Sequence, residues 1–197
     1  MSSQPVSYLT HDQYLDIETA AETRSEYIAG TMYAMSGASR NHSRIVSYAE
    51  SLLLNQLRGR DCEVASTDLR LFIERYSVFT YPDILVTCGP DKFLRNRTDT
   101  LTDATVIIEV LSPSTKNYDR SEKFDYYRAL PSFREYLLLS QDQIGAEHHV
   151  RQPDGSWLMR EYSTPSDEIR ITSIGCSLRL EAVYERVQFE NPPDPKL

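Results

Sequence analysis

A chain of 197 residues with 40% apolar and 25% charged content has the make-up of a globular protein large enough for one sizeable core. Its net charge of −8 argues against a broad basic surface that would hold nucleic acid by charge alone. No apolar run reaches membrane-spanning length and the N-terminus lacks a signal-peptide pattern, so a cytoplasmic protein is expected, with residues 1–190 as a single domain.

Thr10 followed by Asp12 and Gln13 reads as a helix start, and Tyr14, Leu15 and Ile17 give it a weak apolar face. Glu26 to Ser36 reads as a β-hairpin turned at Ala29-Gly30. Glu26 opens its first strand and, on this segment alone, is an exposed strand-end acid. His42 to Leu57 carries the strongest helical pattern, with Ile45, Val46, Ala49, Leu52, Leu53 and Gln56 on one face. His42 shares that face in the first turn, either as a boundary residue or as a group near a site.

Cys62 to Ala65 is a strand. Cys62, Cys88 and Cys176 are scattered without C-x-x-C spacing, and free, buried or half-buried thiols are expected rather than a zinc site or a disulfide framework. Asp68 to Glu74 alternates polar and apolar residues for most of its length, as a half-exposed strand does. A tight turn at Tyr76-Ser77 leads to a strand over Thr80–Val86. Residues 89–104 form a polar loop with Lys92, Arg95 and Arg97, a solvated loop or a mobile basic one that meets phosphates.

Val106 to Leu111 is the next buried strand. Asp119 with Glu122 resembles a capping box, opening a helix that stops before Pro131. Lys123, Tyr126, Tyr127 and Leu130 fall on its inward face. Glu135 to Ser140 is another buried strand, and Ala146–Val150 pairs with Trp157–Tyr162 across a turn at Pro153-Asp154-Gly155. His148 and His149 point to opposite faces and are read as surface or edge residues. Short strands over Glu168–Ile174 and Ser177–Leu180 follow, and the Pro-rich tail 191–197 is expected to be disordered.

The strands over Thr80–Val86 and Val106–Leu111 each carry one carboxylate, Asp83 and Glu109. An ionised carboxylate in an apolar strand is costly unless paired, hydrogen-bonded or metal-bound. Two of them on consecutive strands suggest a facing pair, and two close carboxylates ask for a cation. Lys123, inward on the helix entered from the Glu109 strand, lies within reach.

Helix, strands, helix and strand in this order, with Pro82-Asp83 one strand before Glu109, resemble the core of the PD-(D/E)XK, or restriction-endonuclease-like, nuclease superfamily. That pattern expects lysine where Leu111 stands. From about residue 8 to 189 the chain is similar to the Uma-two family of endonucleases, a branch of this superfamily. The matching pieces are Arg24-Ser25-Glu26-Tyr27 with Gly30, Ser39 to His42, Tyr81-Pro82-Asp83, Glu109 to Thr115, Asp119, Lys123, Tyr126-Tyr127 and Glu135-Tyr136.

The resemblance implies an α/β (α+β) fold with a central mixed sheet flanked by helices, an added N-terminal hairpin and C-terminal strands. It implies a Mg²⁺-dependent endonuclease, with Mn²⁺ as substitute, acting on phosphodiester bonds of nucleic acid, DNA for preference. Asp83, Glu109 and the Val110 carbonyl would hold the ion. Lys123, in the displaced lysine's place, would orient the attacking water or stabilise charge on the phosphate. Glu26 would be an outer acid and His42 a supporting group. A homodimer is implied because two sites most simply cut two strands. Two other functions fit the residues. One is a catalytically silent nucleic-acid-binding or regulatory protein, which Leu111 and the acidic charge favour. The other is a metal-dependent hydrolase of a small phosphorylated molecule.

Overall fold

The computed structural model describes residues 8–66 and 69–189. In chain order the elements are α1 His11–Ala20, β1 Ser25–Ile28, β2 Thr31–Ala34, α2 Arg40–Leu57, β3 Cys62–Ser66, β4 Arg70–Ile73, β5 Val78–Thr80, β6 Ile84–Cys88, β7 Thr100–Leu101 and β8 Val106–Leu111. A turn of helix, α3 Lys116–Tyr118, runs through a π-helical turn at Asp119–Lys123 into α4 Phe124–Tyr127. Then come β9 Glu135–Ser140, β10 Ala146–Arg151, β11 Trp157–Tyr162, β12 Glu168–Ile171, β13 Cys176–Arg179 and α5 Leu180–Val183. Among the described residues, no helix is long and apolar enough to cross a membrane.

Two sheets share the work. A six-stranded sheet runs β11-β10-β9-β8-β6-β3, and a five-stranded one runs β2-β1-β5-β4-β7. β8 pairs parallel to β9 while its other neighbour, β6, is antiparallel, so the larger sheet is mixed. Strand alternation divides the core. Ile84, Val86, Val106, Ile108 and Val110 face α2 and the β12–β13 hairpin. Leu85, Ile107 and Leu111 face the other way, onto Phe124, Tyr127 and Leu130. A third cluster seats α1 on the smaller sheet through Tyr14, Leu15, Tyr27, Phe72 and Phe79. The β1–β2 hairpin turns where predicted, with Ala29 and Gly30 at φ of 44° and 101°, the pair of positive angles a two-residue turn of this hand requires.

Several expectations are corrected. Ile17 on α1 is exposed, and Glu18 is buried in its place, accepting from the Ser25 amide and the Tyr81 hydroxyl, each at 2.9 Å. Of the predicted strand 68–74, Asp68 lies outside the described residues, and β4 is buried throughout rather than half-exposed. It is covered on both edges by β5 and β7, and its Arg70 is paired with Asp99. Asp119 does not cap a helix; it lies inside one, buried. His148 is buried and bonded to the equally buried Glu135 at 2.6 Å. The predicted tail from Asn191 onward lies outside the described residues.

Cys62 and Cys88 are not free. They stand directly opposite on β3 and β6 and form a disulfide. Scattered spacing hid a pairing that only strand register creates. Such bonds are rare in reducing compartments, a point the cytoplasmic expectation has to meet. Thiol titration of the denatured, unreduced protein should count Cys176 alone, and all three cysteines after reduction. The Cys62→Ser, Cys88→Ser protein should lose about 2–4 kcal/mol of stability. Three reactive thiols before reduction would show that the bond is not formed.

Candidate active site at the seam of two sheets

The predicted strand over Thr80–Val86 is in fact two strands in different sheets. β5 ends at Thr80 in the smaller sheet and β6 opens at Ile84 in the larger. Tyr81, Pro82 and Asp83 cross the seam. Proline has no amide hydrogen to give to a ladder, so a break here costs no backbone bond at that residue. Asp83 lies one step beyond the Ile84↔Ile108 pair, which places it beside Glu109. Two hydrogen bonds through the carboxylates take the place of the missing ladder. The Asp83 amide donates to Glu109 Oε2 at 3.3 Å, and the Val110 amide donates to Asp83 Oδ2 at 2.7 Å. His42 Nε2 approaches the same Oδ2 at 3.1 Å.

Glu109 is the β8 side chain that faces α4, on the alternation that also carries Ile107 and Leu111. It is 3% exposed. Its Oε1 accepts from the Tyr127 hydroxyl at 2.7 Å and lies 2.9 Å from Lys123 Nζ. Lys123 is 6% exposed and also meets Glu26 at 3.4 Å and Asp119 at 3.7 Å. Glu26 comes from β1 and is buried, not the exposed strand end expected; Thr80 and Tyr118 donate to it.

The π-helical turn explains how one helix presents these groups in line. An α-helix over-rotates by about 40° every four residues, and a wider π turn under-rotates. The two offset, so Asp119, Lys123 and Tyr127 face the same strand. The Tyr136 hydroxyl donates to the Asp119 carbonyl at 3.0 Å, satisfying backbone in the widened turn.

Three carboxylates, from Glu26, Glu109 and Asp119, thus surround one ammonium. Burial pushes Glu109 up to about 8; Asp83 and Asp119 add to the rise and Lys123 opposes it. Asp119 is raised too, again chiefly by burial. Burial alone would lower Lys123, but Glu109, Glu26 and Asp119 outweigh it and hold the amine well above its usual range. Lys123 is therefore a fixed cation and not a proton acceptor.

Of the residues singled out in the sequence, Asp83, Glu109, Lys123, Glu26 and His42 come together. Val110 adds its amide, which donates to Asp83. Asp119 was misread as a cap, although its i, i+4 spacing to Lys123 is a usable signal. Thr80 and Tyr118 had none. Among the described residues, no three His, Cys, Asp or Glu side chains are already set to chelate an ion. Glu109 spends its oxygens on Lys123, Tyr127 and the Asp83 amide. The donor set itself suits a hard cation, being carboxylate oxygen with negative charge in excess.

A family model described as "Putative restriction endonuclease", Uma2, matches residues 11–181. Two uncharacterized proteins of Synechocystis sp. are similar to the chain. One, slr1290, is 37% identical over 187 residues, covering 95% of this chain and 97% of its own. The other, sll1609, is 35% identical over 164 residues, covering 83% and 93%. The crystal structure of a protein from Anabaena variabilis, described as a "putative nuclease belonging to DUF820", superposes with a TM-score of 0.73 at 18% identity, over 89% of this chain and 97% of that one. At that identity the likeness speaks for the fold.

The raised Glu109 sets a pH dependence. Its folded value, about 8, lies above the ordinary 4.5, so its contribution is full below about 4.5 and is lost as pH rises toward 8. Without divalent metal, the protein should lose roughly 1–3 kcal/mol of stability between pH 6.5 and 8.5. Denaturant titrations in EDTA at the two pH values would measure it. A flat profile would mean that Glu109 is ionised throughout.

Proposed function

The chain belongs to the Uma2 family, and from that premise we propose that it is a Mg²⁺-dependent endonuclease, with Mn²⁺ as substitute, that hydrolyses phosphodiester bonds in DNA. The observation that carries the reading is the buried Lys123 ammonium, 2.9 Å from Glu109, at the seam where the Asp83 amide donates to Glu109 and the Val110 amide donates to Asp83.

Asp83 and Glu109, with the Val110 carbonyl, would hold the ion. An ion bound there would supply charge neutralisation on the phosphate and a water of lowered pKa. Water attacks phosphorus and gives up its proton to solvent, the bond to the leaving oxygen breaks, and that oxygen takes up a proton from solvent. The chain's own groups prepare for this. Lys123 offers a cation to the charge that grows on the phosphate, and because carboxylates already hold it in place, little reorganisation is needed during the reaction. His42 and the Val110 amide fix the Asp83 carboxylate through Oδ2. Tyr127 does the same for Glu109, and Thr80 and Tyr118 do so for Glu26, the outer acid. A homodimer would offer two such sites to the two strands of a duplex.

In single-turnover assays on a DNA that the wild type cuts, Lys123→Met should slow cleavage about a hundredfold or more and still bind Mn²⁺ by calorimetric titration. Asp83→Asn should lose both cleavage and metal binding while staying folded. Cleavage by Lys123→Met at the wild-type rate would remove Lys123 from the chemistry. A wild type that binds DNA and cuts none of it, with either metal, would favour the silent binding protein instead.

A further inference from the structure

We infer that Tyr33, Tyr76 and Tyr126 form a stacking platform at the rim of this site, built to take the unpaired bases of a single-stranded nucleic acid. The inference rests on reading the site as one for nucleic acid, and it specifies the form of substrate.

Three elements bring the rings to one place. Tyr33 on β2 stands directly opposite Glu26 on β1, and opposed residues of an antiparallel pair share a face. Glu26 points inward to Lys123 while Tyr33 remains 52% exposed above it. Tyr126 lies three residues beyond Lys123 on the same helix, so the two are neighbours on its surface. Tyr76, in the turn before β5, is 39% exposed, and its ring centre lies 5.3 Å from that of Tyr126. The Arg75 guanidinium lies 5.7 Å from the Tyr76 ring.

Single exposed aromatics are ordinary. Tyr33 and Tyr76, exposed at the mouth of a buried charged cluster, are not accounted for by the core, and Tyr126, half-buried against the core on a separate element, adds a third ring beside Tyr76. Charge explains why they would be needed. The protein carries −8 and the cluster below the rim is rich in carboxylates, so phosphate attraction cannot supply the affinity. Base–aromatic stacking can, and it is indifferent to net charge. It requires free base faces, which a duplex does not offer. The reacting side chains are also recessed, with Glu109, Lys123 and Glu26 at 3%, 6% and 8% exposure. A splayed single strand can send a phosphate down to them more readily than a duplex held by both backbones.

Binding by Asp83→Asn protein in EDTA, read as fluorescence anisotropy of labelled oligothymidylate, tests this without cleavage. Single strand should bind more tightly than blunt duplex, with a shallow salt dependence. Tyr33→Ala and Tyr126→Ala in that background should each weaken binding about tenfold, and the Phe replacements should restore it. Oligouridylate bound with the same tyrosine dependence supports the platform, since base faces are common to both polymers. Duplex bound as tightly as single strand, or alanine variants that bind unchanged with unaltered melting temperatures, would overturn it. The two readings fail separately. Tyrosine-dependent binding by a protein that cuts nothing would leave the platform and remove the nuclease. Cleavage with tyrosine-independent binding would do the reverse.

Discussion

The contact on which the site depends is the buried ion pair between Lys123 and Glu109 at 2.9 Å. Neither group could stay charged alone at that depth. Burial drives Glu109 toward its neutral form and would drive Lys123 toward its own. Together Glu109, Glu26 and Asp119 keep the Lys123 ammonium charged under the surface, while Glu109 itself gives up its proton only as pH rises toward about 8. Removing one member of such a pair leaves the other buried and uncompensated. Stability and the proposed chemistry therefore draw on the same residues. The cluster is costly in the metal-free protein because carboxylates outnumber cations, and that excess is what a divalent ion would relieve.

The second constraint is topological. The two sheets meet where the chain passes from β5 to β6, and the motif Tyr81-Pro82-Asp83 is the crossing. Groups from both sheets converge there: Glu26 and Thr80 from the smaller, Glu109 from the larger, with Asp83 at the join. A site at the junction of two rigid elements needs no long loop to assemble it. The aromatic rim follows the same logic, since β2, the turn before β5 and α4 end around one opening.

The strand and helix order was largely legible because most segments have one clear period. Val106–Leu111 is apolar but for Glu109, Glu135–Ser140 is apolar between its polar ends, and α2 carries an unbroken helical face. Asp83 and Glu109 stood out because charge inside such runs has a cost that composition alone reveals. What could not be read depends on partners distant in sequence. The Cys62–Cys88 bond requires the β3–β6 register. The burial of Arg70 and His148 requires Asp99 and Glu135, 29 and 13 residues away. The break after Thr80 leaves little trace in the sequence because the residues on either side are equally strand-like; only Pro82 marks it. The π turn left no local trace, and it moved Asp119 from the helix start, where it was expected, to the inward line of Lys123.

If Lys123 is the lysine that the family pattern places at position 111, as proposed, the fold gives a physical reason for its place on the helix. Position 111 is two residues beyond Glu109 and so on the same face of β8. Leu111 there is buried against Leu138 and Phe124, in the cluster beneath α4. A lysine at 111 would have to carry its stem through that apolar layer, and its amine would approach Glu109 along the strand. Lys123 instead comes from the covering helix. It reaches Glu109 Oε1 beside the Tyr127 hydroxyl, and it reaches Glu26 and Asp119 with the same amine. The helix position thus binds three acids from three elements with one cation, and it leaves the strand free to complete the core.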